Sequence, residues 1–284
     1  MQTDIQIHQY IWGFVNFDKT SQTNLAAIAS LLQNIPALVS QQQNGQLLWE
    51  LTPEEVKNVV FQLDKRSVAG IDGFTGVFFT HCWDIIGEDV SQVAWEFMCG
   101  VPIPKSIAST LNVLIPKRES PQTFSDFRLI SVCTFIIKVF TKILYNRLKA
   151  VLPSIISLEQ STFVQGREMS DNILLAQELV VAIDKRVRGH NVILKLDMMK
   201  AFDRVSWGFL SRLLLKFSFH PQFVDVLMNN LTSSWFSILV NGKPQGLFQP
   251  TRGLKQSDPL VDTKISFMLF NFSFILVLFF ILID

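Results

Sequence analysis

The amino-acid sequence predicts an α+β domain, in which helices come first and a small antiparallel sheet with flanking helices follows. Apolar residues recur at helical spacing in segments between residues 53 and 217, and short alternating segments lie at 192–197 and 235–248. With 49% hydrophobic and 17% charged residues among 284, the composition is typical of a folded globular protein. The length accommodates one large domain or two modest ones.

Residues 1–50 are expected to form an N-terminal extension. The segment is polar apart from an apolar stretch at Leu25–Leu32, and it is rich in Gln near Gln41–Gln46. This pattern predicts a short helix at the apolar stretch and a loop at the Gln-rich part.

The next segment is predicted to be helical as far as residue 98. Thr52-Pro53-Glu54-Glu55 begins a helix, because Thr is a good N-cap, Pro fits the first helical position and Glu favours the first turn. This helix should end near residues 67–70. Gly70-Ile71-Asp72-Gly73 is a turn sequence, and residues 74–98 predict further helices.

The middle of the chain predicts a strand at Leu111–Ile115, which Pro116-Lys117-Arg118 closes. An amphipathic helix at Ile136–Ala150 and a second helix at Ser170–Ile183 follow. The apolar face of the amphipathic helix consists of Ile137, Phe140, Leu144 and Leu148. Its lysines fall on the opposite face.

The last elements predict a small sheet. Val192–Asp197 alternates as a half-buried strand does, and Ser206 then caps a helix. The buried face of that helix should hold Leu210, Leu213, Leu214 and Phe217. Trp235–Val240 and Gly246–Phe248 predict a hairpin that turns at Asn241-Gly242.

Charge is distributed unevenly, although the whole chain has a net charge of +1. Residues 1–100 sum to −7, residues 101–150 to +6 and residues 151–284 to +2. The basic block favours a polyanionic partner, and a solvated helix face is the alternative explanation. Three cysteines without metal-type spacing indicate reduced thiols in an intracellular protein of the cytoplasm or nucleus.

The C-terminal segment 265–283 contains 19 residues without a charge. By length and composition it is a candidate for crossing a membrane. A helix buried in a core and out-of-frame or intronic sequence are the alternatives. The out-of-frame origin is preferred, so membrane association is the less favoured expectation.

The strongest chemical signal is Asp197, which ends the predicted strand five residues before Phe202. A carboxylate on a rigid strand end can bind a divalent metal, and two such metals can clamp the oxygens of a nucleotidyl transfer. A strand that ends in Asp as an ordinary helix cap is the alternative.

The segment Leu194–Trp207 resembles motif A of reverse transcriptases from LINE-type (non-LTR) retrotransposons, of the kind abundant in plant genomes. Further blocks resemble that family in family order over roughly residues 35–260. They are Gly70–Phe74 (GPDGF), Leu114–Lys117 with Asp126–Ser131 (LIPK…DFRPISL), Lys138–Lys149, Gln160–Arg167 with Asp171–Leu175, and Arg252–Leu260 (motif B, RGLRQGDPL).

The resemblance implies a role for each matching residue in the active site. Asp197 would be a catalytic Mg²⁺ ligand, and Phe202 would be the steric gate that excludes a ribose 2′-hydroxyl. Lys117 and Arg128 would neutralise the triphosphate of the incoming dNTP, and Gln256 would lie against the nucleotide. Phe202 as a simple core residue, and Arg128 as a surface partner of Asp126, are the alternatives.

The resemblance also implies contacts with an RNA template and a DNA primer. Arg167 and Arg252 would contact the template, and Lys138, Lys142 and Lys149 would follow the nucleic-acid backbone. For the three lysines, a solvated helix face is the alternative. Asp203 and Asp258 are expected to be structural.

By resemblance the fold is a partial right-hand polymerase without a thumb. The expected boundaries are an extension at 1–50, a fingers-like region at 51–190, a partial palm with motifs A and B at 191–260, and the apolar tail at 261–284. No small-molecule substrate other than a dNTP is expected.

Several positions depart from the family pattern. Ile71 and Leu129 replace prolines, and Ser257 replaces a glycine of motif B. After Leu260 the pattern stops before motif C, and no Asp-Asp pair occurs in the 284 residues. We therefore expect a reverse transcriptase fragment without polymerase activity on its own. A catalytically dead nucleic-acid-binding remnant and a membrane-anchored protein of polymerase ancestry are the alternatives.

Overall fold

The computed structural model describes residues 32–33, 35–123, 126–155, 168–182 and 205–254, which are called the described residues. Within these ranges the helices are α1 Gln41–Leu47, α2 Pro53–Gln62, α3 Gly76–His81, α4 Trp83–Met98, α5 Lys105–Ala108, α6 Phe135–Lys149, α7 Leu152–Ile155, α8 Met169–Ala182, α9 Trp207–Lys216 and α10 Pro221–Thr232. The strands are β1 Ser109–Pro116, β2 Phe127–Cys133, β3 Trp235–Val240 and β4 Lys243–Phe248. The class predicted from the sequence, α+β with a small sheet and flanking helices, is confirmed.

Helix α1 corrects the loop predicted at Gln41–Gln46. The Ser40 hydroxyl accepts a hydrogen bond from the Gln43 amide at 3.2 Å, and the Gln43 side chain accepts one from the Ser40 amide at 2.9 Å. This reciprocal capping box satisfies two amides that would otherwise have no partner at a helix start. Because Gln is also a good helix former, the segment folds as a helix.

Helix α2 confirms the predicted start. The Thr52 hydroxyl accepts a hydrogen bond from the Glu55 amide at 3.2 Å, and Pro53 occupies the first helical position. The helix ends at Gln62, earlier than the 67–70 predicted. The predicted turn follows, since the Gly73 amide donates to the Gly70 carbonyl at 3.1 Å and Gly73 has a φ of 76°. Helices α3 and α4 then occupy the predicted helical region.

The sheet has the order β2-β1-β3-β4 and consists of two antiparallel hairpins, the β1–β2 hairpin and the β3–β4 hairpin. The prediction of an antiparallel sheet is wrong at its centre, because β1 and β3 pair in parallel from Ser109↔Trp235 to Val113↔Leu239. A parallel pair requires a long crossover connection, and the chain from β2 to β3, which contains helices α6 to α10, provides it. Strand β2 was not predicted, and β4 begins at Lys243, three residues before the predicted start.

The turn of the β3–β4 hairpin confirms the prediction for Asn241-Gly242. Asn241 has a φ of 49° and Gly242 a φ of 75°. Two consecutive positive φ values are what a tight two-residue hairpin turn requires, and Asn and Gly tolerate them best. The turn therefore fixes the register at Val240↔Lys243.

Helix α6 is the centre of the helical core. Its predicted apolar face is confirmed, since Ile137, Phe140, Leu144 and Leu148 are all buried. Phe140 stacks on Phe97 of α4 with a centroid distance of 4.4 Å, and Phe135 stacks on Phe79 of α3 at 4.6 Å. Helices α2, α4 and α10 also pack against α6.

Helices α9 and α10 complete this core. Ser206 caps α9 as predicted, and all four residues predicted for its inner face are buried. Helix α10 was not predicted, although Pro221 at its first position and the spacing of Phe223, Val224 and Leu227 signal a helix. Helix α8 confirms the helix predicted at 170–183.

Three sequence predictions lie outside the described residues, namely the strand at Val192–Asp197, most of the apolar stretch at Leu25–Leu32 and the tail at 261–284. Among the residues that the structure describes, no helix is long and apolar enough to cross a membrane. The candidate segment 265–283 is not part of that set.

Arg147 of α6 links this helix to α2 and to the segment that precedes α2. It is bidentate on Glu55 at 3.1 and 3.0 Å and donates to the carbonyls of Leu47 and Trp49 at 3.0 and 2.6 Å. Its side chain is 7% exposed. We predict that Arg147→Met lowers the free energy of unfolding by about 2–3 kcal/mol, because a carboxylate and two carbonyls lose a charged donor.

Urea denaturation monitored by circular dichroism measures this loss. Lys149→Met, at the exposed end of the same helix, is the matched control and should change stability by less than about 0.5 kcal/mol. Equal midpoints for the two variants would show that Arg147 is not an anchor.

Candidate nucleotide and nucleic-acid interface

The β1–β2 hairpin brings two predicted site residues, Lys117 and Arg128, to one face. Arg128 lies opposite Ile115 in the antiparallel register, and the Lys117 amide donates to the Asp126 carbonyl at 2.7 Å. Side chains two residues apart on a strand share a face, so Lys117 lies on the face of Ile115 and Arg128. Both cations are exposed next to the loop that joins the two strands.

The connection between the two strands is closed by Asp126. Its carboxylate accepts hydrogen bonds from the amides of Gln122 and Thr123, both at 2.8 Å, and pairs with the Arg118 guanidinium. The alternative in which Asp126 is a surface partner of Arg128 is therefore wrong, because Asp126 is buried and its ionic partner is Arg118. Strand geometry explains this, since residue 118 directly follows the position opposite residue 126.

The three lysines predicted on α6 lie in different environments. Lys138 Nζ donates to the Ser67 hydroxyl at 3.2 Å and to the Val68 carbonyl at 2.8 Å. Lys142 Nζ lies 4.7 Å from the centroid of the Tyr145 ring, and Lys149 is exposed in the last turn. Lys138 therefore holds the loop after α2, while Lys149 projects into solvent.

The same loop packs closely on the start of α6. A Cβ built on Gly70 would lie 2.6 Å from Thr134 Cα and 2.8 Å from the Cys133 carbonyl oxygen. Main-chain atoms cannot yield to such a contact, so only glycine fits at this position. The geometry of the turn thus depends on the end of β2, where Thr134 caps α6.

The end of predicted motif A and the start of predicted motif B are hydrogen bonded to each other. The Gly253 amide donates to the Val205 carbonyl at 2.8 Å, and Trp207 Nε1 donates to the Gly253 carbonyl at 2.7 Å. Arg252, which precedes this contact, is half-buried. No local sequence pattern indicates this contact, because it joins residues that lie 46 or more positions apart.

Asp197, Phe202, Arg167 and Gln256 lie outside the described residues, as do Asp203 and Asp258. Their roles remain predictions. Within the described part of the chain, no group of three or more His, Cys, Asp or Glu side chains could hold a metal ion. The cysteines are all free thiols.

The described elements define an α+β domain that presents two cations on a sheet hairpin. One main-chain hydrogen bond and one from the Trp207 indole join two sequence motifs. The sequence model of the family described as reverse transcriptase (RNA-dependent DNA polymerase) matches residues 115–260, just over half of the chain. The chain belongs to the reverse transcriptase family, and its relatives show that it is of the LINE-type, non-LTR retrotransposon kind.

Three curated relatives illustrate this similarity. A transposon TX1 protein of Xenopus laevis, described as an uncharacterized 149 kDa protein, is 30% identical over 82% of this chain and 18% of its own length. A retrovirus-related Pol polyprotein from a type-1 retrotransposable element R2 of Nasonia vitripennis is 26% identical over 75% of this chain and 20% of its own. The corresponding R2DM polyprotein of Drosophila melanogaster is 31% identical over 57% and 15%. The chain therefore spans about a fifth of the length of these relatives.

A pair of glycine substitutions tests the docking of the loop on α6. We predict that Gly70→Ala lowers the free energy of unfolding by roughly 1–3 kcal/mol, because the new methyl group meets main-chain atoms. Gly45→Ala in α1 is the control, since nothing lies within 4 Å of the added Cβ and Ala favours a helix. Thermal melts in which both variants are as stable as the parent would contradict the close packing.

Proposed function

We propose that this chain supplies the fingers and part of the palm of an RNA-directed DNA polymerase, with RNA as template, DNA as primer and dNTPs as substrates. The main-chain contact between Val205 and Gly253 carries the proposal, because it holds the end of motif A beside the start of motif B. In that arrangement Asp197 binds Mg²⁺, Phe202 acts as the steric gate and Gln256 lies against the nucleotide.

The β1–β2 hairpin binds phosphate groups in this proposal. Lys117 and Arg128 neutralise the triphosphate, and a hairpin held in a four-stranded sheet keeps them in fixed positions. Since the β3–β4 hairpin belongs to the same sheet, we assign residues 235–248 to the fingers body. This assignment changes the expected boundary between fingers at 51–190 and palm at 191–260.

Mg²⁺ is the proposed metal. A carboxylate such as that of Asp197 suits Mg²⁺, which is usually held by one or two carboxylates together with substrate phosphates. Two-metal transfer needs carboxylates from more than one position, and the 284 residues contain no Asp-Asp pair. We therefore propose that this polypeptide by itself binds substrates and does not polymerise.

A primer-extension assay tests the proposed lack of activity. The purified 284-residue chain, given an RNA template, a DNA primer, dNTPs and Mg²⁺ or Mn²⁺, should incorporate no more nucleotide than its Asp197→Ala variant. Incorporation that depends on template and is lost in that variant would contradict the proposal. Both proteins should have the same circular dichroism spectrum.

A second candidate function is a nucleic-acid-binding module in the cytoplasm or nucleus. The net charge of +6 over residues 101–150 favours it, because the Lys and Arg side chains of this block can contact phosphates. Arg167, Arg252, Lys142 and Lys149 are the proposed backbone contacts, with Lys138 acting through the loop that it holds.

The salt dependence of binding tests the role of the hairpin. Lys117→Gln and Arg128→Gln should each reduce the slope of log affinity against log salt by about 0.7–0.9 for a primer–template, if each contacts one phosphate. Lys57→Gln is the matched control, since Lys57 is an exposed lysine in the acidic N-terminal region. Fluorescence anisotropy measures the slopes, and equal slopes in all four proteins would exclude the hairpin as a nucleic-acid contact.

A further inference from the structure

Two arginines of the β1–β2 hairpin, Arg118 and Arg128, lie in different surroundings. The Arg128 side chain is exposed and forms no hydrogen bond or ion pair with any other described residue. The Arg118 side chain is 60% exposed, and its guanidinium is paired with Asp126. Exposure alone therefore does not distinguish the arginine that can receive a phosphate from the one that is already paired.

The Asp126 carboxylate accepts several hydrogen bonds in addition to its ion pair with Arg118. One carboxylate oxygen accepts from the amides of Gln122 and Thr123 at 2.8 Å and from the Thr123 hydroxyl at 3.2 Å. The other oxygen accepts from Arg118, and the main-chain oxygen accepts from the Lys117 amide at 2.7 Å. A single buried residue thus fixes both ends of the connection.

The charge of this carboxylate determines what Arg118 can do. The Asp126 side chain is 6% exposed, so its negative charge has lost most of its solvation and needs a positive partner. Arg118 supplies it. If the Arg118 guanidinium turned to a phosphate instead, the buried Asp126 carboxylate would be left without a positive charge beside it.

We propose that Asp126 is a positioning residue that withholds Arg118 from phosphate binding, so that Arg128 is the arginine that the hairpin offers to its ligand. The inference rests on the proposed function, in which this hairpin binds phosphate groups. The phosphates belong either to the nucleic-acid backbone or to a free triphosphate. The two sources have the same chemistry, and separate titrations distinguish them.

The experiment compares variants of the full 284-residue chain in two titrations. One titration uses an RNA–DNA primer–template, and the other uses inorganic tripolyphosphate. Arg128→Gln is the benchmark for a phosphate contact, and Arg118→Gln removes the same charge ten positions away. Asp126→Asn frees Arg118, while Asp72→Asn removes an equal charge from an exposed turn, where among the described residues the carboxylate accepts only from the Phe74 amide.

In the titration whose ligand binds to the hairpin, Arg128→Gln should weaken binding about tenfold, because one charge-assisted hydrogen bond is lost. Arg118→Gln should change it less than about threefold. Asp126→Asn should tighten binding and raise the salt slope by about 0.7–0.9 for nucleic acid, because one more cation becomes available. The double variant R118Q/D126N should return to the parental affinity.

Three results would overturn the inference. In the first, Arg118→Gln weakens binding as much as Arg128→Gln, so that Arg118 is itself a contact. In the second, Asp126→Asn tightens binding no more than Asp72→Asn, so that only net charge matters. In the third, Asp126→Asn and the double variant are equally weak, so that Asp126 is only a structural residue.

One further result would contradict both the proposed function and the inference. If Lys117→Gln and Arg128→Gln alter neither titration, the hairpin does not bind phosphate. Arg118→Gln leaves Asp126 and its three amide and hydroxyl donors in place, so this variant keeps the comparison informative even if Asp126→Asn fails to fold.

Discussion

The parallel pairing of β1 with β3 is the interaction on which the rest of the structure depends. It joins two hairpins that lie more than a hundred residues apart in the chain. An isolated two-stranded hairpin is only marginally stable in water, whereas a four-stranded sheet packed on helices can be stable. Lys105, whose Nζ lies 4.2 Å from the centroid of the Trp235 ring, adds a cation–π contact where β3 begins.

The sheet is connected to the helical core at the start of α6. Strand β2 ends at Cys133, and Thr134 caps α6 directly after it. Gly70 packs on that junction, and Lys138 donates a hydrogen bond to the neighbouring loop. The loop, the hairpin and the helix are therefore in contact at one place. The cations at the other end of the hairpin are thereby connected to the helical core, which would reduce the entropy lost in the proposed binding of a phosphate.

The sequence predicted those features that depend on near neighbours. The caps at Thr52 and Ser206 and the turn at Asn241-Gly242 are set by residues within a few positions, and all three are confirmed. The loop predicted at Gln41–Gln46 was wrong because Ser40 was not considered as a cap. The parallel pairing depends on distant strands, and no local pattern could have indicated it.

The candidate site shows the same division. Family motifs indicated Lys117 and Arg128, and strand register places them on one face. The alternative that paired Asp126 with Arg128 rested on their closeness in sequence, and it was wrong because the antiparallel register brings Arg118 beside the carboxylate. The contact between Val205 and Gly253 had no sequence signal, although both residues lie within recognised motifs. Motifs therefore indicate the residue types of a site, and strand pairing determines which of them meet.

We propose that the tip of the β1–β2 hairpin is the phosphate-binding surface of the described part of the chain. Hydrogen exchange with mass spectrometry, with and without an RNA–DNA primer–template, measures whether the tip is covered. Exchange should become slower over residues 117–128 and should not change over α4, which carries four acidic and no basic residues. Protection over α4, with none over the hairpin, would show that the hairpin is not the phosphate-binding surface.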